Sequence, residues 1–214
     1  MNPKIFITTS RYPSVGIIKF VLELKKTLPN SKKLPRGRKF LKSLVEYCIN
    51  EGGTDLILIH EYRGEPDAII LSHLPGGPSV YFTIKRVLFL TKKTKINFTS
   101  LSPHIVIDNL NSEIGKRFVK ILCSLFSSPK PNSNRIVSLS GEKNYIVFRH
   151  FLFQKREISE KSSILHELGP SFEMLPFKIV LGNLGDKNQK IEWKFSSFIK
   201  SHSKKSFLYK SKKK

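Results

Sequence analysis

Six cations stand close together in the first forty residues: Arg11, then Lys32, Lys33, Arg36, Arg38 and Lys39. All fall in segments rich in Ser, Thr, Pro and Gly, TTSRYPS and NSKKLPRGRK, which read as loops or helix starts. The chemistry they offer is phosphate binding. A guanidinium presents a planar fork that matches phosphate oxygens, and a helix N-terminus adds amide donors and a favourable dipole. Singly, each reads as solvated surface; as a group they point to RNA. His73 and His150 sit at strand ends among basic residues and could stack on a base or touch a phosphate. An ordinary surface or half-buried histidine is the plainer reading of both.

Catalytic constellations are not found. His60-Glu61 opens a zinc-protease-like pattern, but residue 64 is glycine rather than the second histidine, and His60 closes a strand instead of lying on a helix. Gly76-Gly77 is followed by Pro78, which has no amide to give a phosphate. Asp55, Glu61, Glu65 and Asp67 cluster in the sequence and read as solvated loop acids without a placed base. Cys48 and Cys123 make no metal-ligand spacing and read as buried free thiols of a reducing compartment. The expectation is no catalytic residue, no metal and no cofactor.

The elements that position the cations follow from apolar periodicity. Residues 55–84 are the centre of the chain: short apolar runs at Leu56–Ile59 and Ala68–Leu71, then alternation of Val80, Phe82 and Ile84. The breaks between them are a turn at Arg63-Gly64-Glu65-Pro66 and a stiffer Leu74-Pro75-Gly76-Gly77-Pro78. This is a rigid sheet with two tight polar loops, a platform for presenting side chains to a large partner rather than a deep cleft. Ahead of it, KIFIT (4–8) predicts a strand. Ser14 caps a helix with Ile17, Val21, Leu24 and Leu28 on one face, and a second helix spans Phe40 to Asn50. Asn30 to Lys39 reads as a basic loop. KKTK (92–95) is a charged connector, with a boundary near residue 100.

The second part repeats the order. Ile105–Ile107 is a strand, Asn111 or Ser112 caps a helix carrying Ile114, Phe118, Ile121, Leu122 and Leu125, and SSPKPNSN is a loop. Arg135–Leu139, Tyr145–Phe153 and Phe172–Leu181 are further strands, with Gln154–Ser163 polar and exposed. The fold class expected is mixed α/β (α+β): two pseudo-repeated halves, residues 1–100 and 101–203, each a small mixed sheet with packed helices. Lys204–Lys214 holds six lysines and no acid, a flexible basic tail in which Lys204 and Lys205 join the RNA-contact candidates.

Charge supports this reading. Lys and Arg total 38 against 16 acids, for a net +22. Residues 1–100 carry 17 basic and 7 acidic side chains, residues 101–214 carry 21 and 9, so the excess belongs to the folded body as well as the tail. Such a field favours nucleic acid, and less often anionic lipid or an acidic protein. No apolar stretch approaches the roughly 20 residues that span a bilayer, and no membrane partner is expected.

Four stretches in register, TTSRYPS, EYRGEPDAIILSHLPGGPSVYFTI, KPNSNRIVSLSGEKNYIVFRHFLF and ELGPSFEMLPFKIVLGNL, resemble the Brix-domain family of ribosome-assembly proteins. SHLPGGP and SPKPNSNRIVSLS favour its small-subunit processome branch over its large-subunit relatives. The resemblance implies halves like anticodon-binding domains and a nucleolar, non-enzymatic RNA-binding role. It implies partners too: small nucleolar RNA, pre-ribosomal RNA, and processome proteins of the Imp-three and M-phase phosphoprotein type, with the complex promoting pairing of the two RNAs. The family's basic positions match Arg11, Arg63 and the Arg149-His150 pair. Members of this type carry a long basic extension ahead of TTSR, where seven residues precede Thr8 here, so a reduced version is expected. The alternatives are a structural ribosomal protein, which would stay in mature subunits, and an RNA-processing enzyme, which would need an essential acid or histidine.

Overall fold

The computed structural model describes residues 2–89, 101–155, 163–186, 189–195 and 207–208. The chain opens with β1 (Ile5–Thr9) and α1 (Val15–Thr27). Ser14 begins α1 because its Oγ accepts from the Ile17 amide at 3.4 Å. Ile17, Phe20, Val21 and Leu24 form the buried face of the helix. β2 (Ser31–Lys33) follows, then α2 (Leu41–Asn50) and the meander β3 (Asp55–Tyr62), β4 (Glu65–His73) and β5 (Ser79–Leu88). β2 lies inside the segment predicted as a loop. It is a three-residue edge strand, parallel to β1, of a buried serine and two lysines whose side chains stay in water.

The second set runs β6 (His104–Asp108), α3 (Glu113–Cys123) capped by Ser112, β7 (Arg135–Glu142), β8 (Tyr145–Lys155), β9 (Ser163–Glu167), β10 (Ser171–Leu181) and β11 (Lys190–Lys194). β9 and β11 were not legible as strands. The stretch read as polar and exposed, Gln154–Ser163, has its ends in β8 and β9; residues 156–162 lie outside the described residues, as do KKTK and the boundary near residue 100.

The parallel pair β1–β3, then antiparallel β4 and β5, has its counterpart in parallel β6–β7, then antiparallel β8 and β10. The two small sheets are joined. β5 pairs antiparallel with β10, giving one mixed sheet in the order β2-β1-β3-β4-β5-β10-β8-β7-β6. Strand alternation then sorts the side chains. Ile5, Ile7, Ile57 and Ile59 join α1 and α3 in one large core, whereas Phe6, Leu56 and Leu58 pack with Val45 and Cys48 of α2 in a smaller one. The large core is common to both sets. Phe20 of α1 meets Phe172 of β10 edge-on at 5.4 Å, and Phe118 of α3 meets Phe82 of β5 at 5.8 Å. Leu208, in the segment predicted to be a flexible tail, is fully buried in the same core. The Ser112 hydroxyl donates to the Phe207 carbonyl at 2.7 Å, and the Ser112 amide to the Leu208 carbonyl at 3.2 Å.

One buried cation ties α1 to β7. The Arg135 guanidinium donates to the carbonyls of Lys26 (2.9 Å), Thr27 (2.8 Å) and Leu101 (3.1 Å), and its Nε donates to His150 Nε2 at 3.2 Å. Burial draws its pKa down to about 10, so it stays charged at neutral pH. His150 closes the arrangement, with Nδ1 3.0 Å from the Gly169 carbonyl. To accept from Arg135 and donate to Gly169 its ring must be neutral.

That neutrality has a pH signature. Burial, and then the Arg135 charge, push the His150 pKa down to about 4 from its ordinary 6.5. The unfolded chain therefore binds a proton between those values that the folded chain refuses, so this contribution to stability is complete above pH 6.5 and is lost as pH falls toward 4. The expected loss is about 3 kcal/mol at most. Urea unfolding at pH 7 and at pH near 4 measures it, and His150→Gln, whose amide can serve both neighbours without titrating, should lack this part of the slope.

Candidate nucleic-acid interface

Three loops converge where β1, β2 and β3 end. The loop after β1 carries Arg11; that after β2 carries Arg36, Arg38 and Lys39; the two-residue turn after β3 carries Arg63. Parallel pairing puts these strand ends side by side: Ser10 N–H donates to the Ile59 carbonyl at 2.9 Å and Leu34 N–H to the Ile7 carbonyl at 2.8 Å. The β3–β4 turn is locked to the first loop. The Ser14 amide donates to Glu61 Oε2 at 2.9 Å, and the Ser14 hydroxyl to the Gly64 carbonyl at 3.0 Å. Arg63 and Gly64 both hold positive φ (50° and 84°), the conformation of a two-residue hairpin turn.

The second loop is ordered by Arg36. Its Nη1 donates to the Lys39 carbonyl, and its pKa is lowered by burial and then by the charge of Arg11. Arg11, Arg38, Lys39 and Arg63 are exposed, as are Lys32 and Lys33 on β2. The cluster is a basic rim on a rigid sheet end, suited to phosphates. Aromatic residues sit among these cations and were missed in the sequence. Tyr12 is 82% exposed, Phe40 74% and Tyr62 60%, with the Arg63 guanidinium 5.2 Å from the Tyr62 ring centre. The signal was available, since each adjoins a predicted RNA-contact residue.

The other candidates fall elsewhere. Arg149 is exposed midway along β8, which is separated from β3 by β4, β5 and β10, roughly 19 Å across the sheet at about 4.8 Å per strand. His150 is buried against Arg135 and Gly169 and is corrected from an RNA contact to a core residue. Lys204 and Lys205 lie outside the described residues. The loop Leu74–Pro78 is anchored on its own chain: Gly76 N–H donates to Asn183 Oδ1 at 2.8 Å, and a Cβ on Gly77 would meet the Gly182 amide nitrogen at 2.6 Å.

The acids also require correction, because all four lie in strands. Glu61 holds Ser14, Glu65 starts β4, and Asp67 lies 3.5 Å from His60. Asp55 is buried and bonded to Thr54 Oγ1 and His73 Nδ1; His73 Nε2 in turn lies 3.1 Å from Ser124 Oγ. This order, acid, histidine, serine, is that of a hydrolytic relay and borders a cavity of about 390 Å³. The Ser124 hydroxyl also donates to the Ile121 carbonyl at 2.7 Å, so the group closes the last turn of α3. Among the described residues no cluster of three His, Cys, Asp or Glu could hold a metal, and no helix is long and apolar enough to cross a membrane. Cys48 is free and buried, its thiol pushed up to about 11 by burial and Glu51; Cys123 is free and half-buried.

Residues 10–178 match the Brix domain. The chain is 36% identical over 211 residues to the U3 small nucleolar ribonucleoprotein protein IMP4 of Saccharomyces cerevisiae, covering 97% of this chain and 71% of that protein. It is 38% identical over 209 residues to the Brix domain-containing protein ZK795.3 of Caenorhabditis elegans, with the same shares covered. Among solved structures, the crystal structure of a probable ribosomal biogenesis protein from Aeropyrum pernix K1 has the same fold, with a TM-score of 0.54 at 20% identity over 86% of this chain and 98% of that one.

The lock between the first loop and the β3–β4 turn can be tested directly. Glu61→Ala removes an acid and raises the net charge, yet it leaves the Ser14 amide without its acceptor and frees the loop bearing Arg11. Weaker RNA binding in a gel-shift titration, despite the added positive charge, is the expected outcome. Tighter binding would mean that charge alone, not placement, sets affinity.

Proposed function

The chain belongs to the Brix-domain family, and on that premise we propose that it is a non-enzymatic RNA-binding factor of the small-subunit processome. It helps a small nucleolar RNA pair with pre-ribosomal RNA in the nucleolus. The observation that carries this reading is the convergence of Arg11, Arg36, Arg38, Lys39 and Arg63 on one rigid sheet end in a relative of a U3 ribonucleoprotein subunit. Cations held there neutralise phosphates of both strands, lower their repulsion and raise their local concentration. The two repeats, residues 1–100 and 101–203, act as one body that holds the rim at a fixed angle to partner proteins of the Imp-three and M-phase phosphoprotein type. Arg149, on a separate surface, is free to touch RNA or such a partner.

The rim and the lysines of residues 204–214 can be compared by charge. Truncation is unsuitable because it deletes Leu208 from the core. The comparison is therefore Arg11, Arg38 and Arg63 to Gln against the six lysines Lys204, Lys205, Lys210, Lys212, Lys213 and Lys214 to Gln. In an annealing assay of the two RNAs at several salt concentrations, the rim variant should lose more activity per charge removed. Equal loss per charge would reduce the rim to a generic polycation. The RNA should be recovered uncut from the same reactions; cleavage that disappears in His73→Asn would overturn the non-enzymatic reading. In cells the protein should sediment with precursor and not mature subunits.

A further inference from the structure

We propose that the basic rim stacks unpaired RNA bases on Tyr12 and Tyr62, so that it captures single strands in preference to base-paired RNA and lets go of the duplex once they have paired. This inference rests on the RNA-binding reading above. Its starting point is a comparison between the two repeats. In the second, the turn between β6 and the cap of α3 holds its left-handed residue at Asn109 (φ 57°), a residue type at home in that region. In the first, the turn between β1 and the cap of α1 puts Tyr12 there (φ 55°), a bulky side chain that the conformation disfavours. The fold gains nothing visible in return, since the ring is 82% exposed.

The same contrast holds at the hairpins. Arg63 and Lys143 occupy matching left-handed positions (φ 50° and 56°). The residue before Lys143 is Glu142, an exposed acid; the residue before Arg63 is Tyr62, an exposed aromatic ring with a guanidinium over it. In the second repeat this sheet end mixes Asp108, Glu113 and Glu142 with Lys85, Arg86 and Lys143, its Tyr145 is half-buried beside Lys85, and Phe207 and Leu208 close it. The first repeat leaves its end open, basic and aromatic. Every base has a π-face, so rings on a phosphate-binding rim hold successive unpaired bases with little regard to sequence. A duplex, whose bases stack on each other, offers only its ends. The Ser14–Glu61 and Ser14–Gly64 bonds hold the two tyrosine-bearing segments together, so both rings are placed before RNA arrives.

The test uses the full chain and three probes: an unpaired RNA of about 12 nucleotides, the same chain without bases, and a duplex of equal length. Tyr12→Asn with Tyr62→Ser should weaken binding of the unpaired RNA roughly ten-fold or more. It should leave the abasic chain and the salt slope unchanged, because no counterion is involved. Tyr12→Phe with Tyr62→Phe should restore the preference. Equal affinity for unpaired and abasic chains, or a double variant that binds both like the parent, overturns stacking while leaving the phosphate rim intact; the rings would then belong to a protein partner. Failure to bind any of the three probes at low salt overturns the RNA-binding reading and this inference with it. Circular dichroism of the variants separates either result from misfolding.

Discussion

A buried arginine holds this molecule together. A guanidinium removed from water is costly unless its donors are met, and the carbonyls at a helix end are equally in need of partners. Arg135 answers both needs by reaching from the first residue of β7 to Lys26 and Thr27 at the end of α1. It lies at the negative pole of that helix, where a cation is favoured. With Phe20 packed on Phe172, the contact fixes α1 over strands from the other repeat. The orientation of the basic rim follows, because Ser14 at the opposite end of α1 anchors the loop that bears Arg11.

A counterpart of this contact exists with different chemistry. The first residue of β3 is Asp55, where β7 has Arg135, and each works through a histidine on the next strand, His73 or His150. His73 meets Ser124 at the end of α3, so each repeat supplies the group that closes the other's helix. Topology has been retained while charge has been reversed. The helix N-termini have diverged further, into an open rim of cations and aromatics in one repeat and a closed end of mixed charge in the other.

The apolar periods were legible. Ile17, Val21, Leu24 and Leu28 marked α1, and the alternation through Val80, Phe82 and Ile84 marked β5. Both patterns report burial against the chain's own sheet or helices, which is what periodicity encodes. β2 escaped because a short edge strand of Ser and two lysines buries almost nothing. Asp55 and His150 were misread for a different reason: an ionisable side chain looks solvated until the topology places a partner beside it. Leu208 was lost among lysines because a single apolar residue has no period. Of the site, the cations on loops could be read directly, whereas their convergence with Tyr12 and Tyr62 required the parallel pairing of β1, β2 and β3.

The position of Leu208 in the common core bears on how the protein is made. The ribosome delivers the chain from its N-terminus, and β1 to β5 emerge long before Phe118, Phe172 and Leu208 are available to cover Phe82, Phe20 and the start of α3. Contacts so distant in sequence close slowly and leave apolar surface exposed in the meantime. A nascent chain with a basic rim already formed and its core still open would meet polyanions before it is finished. Synthesis therefore has a vulnerable interval that ends only when residue 208 leaves the exit tunnel, and a chaperone that shields the Phe20 and Phe82 surface would be needed most during that interval.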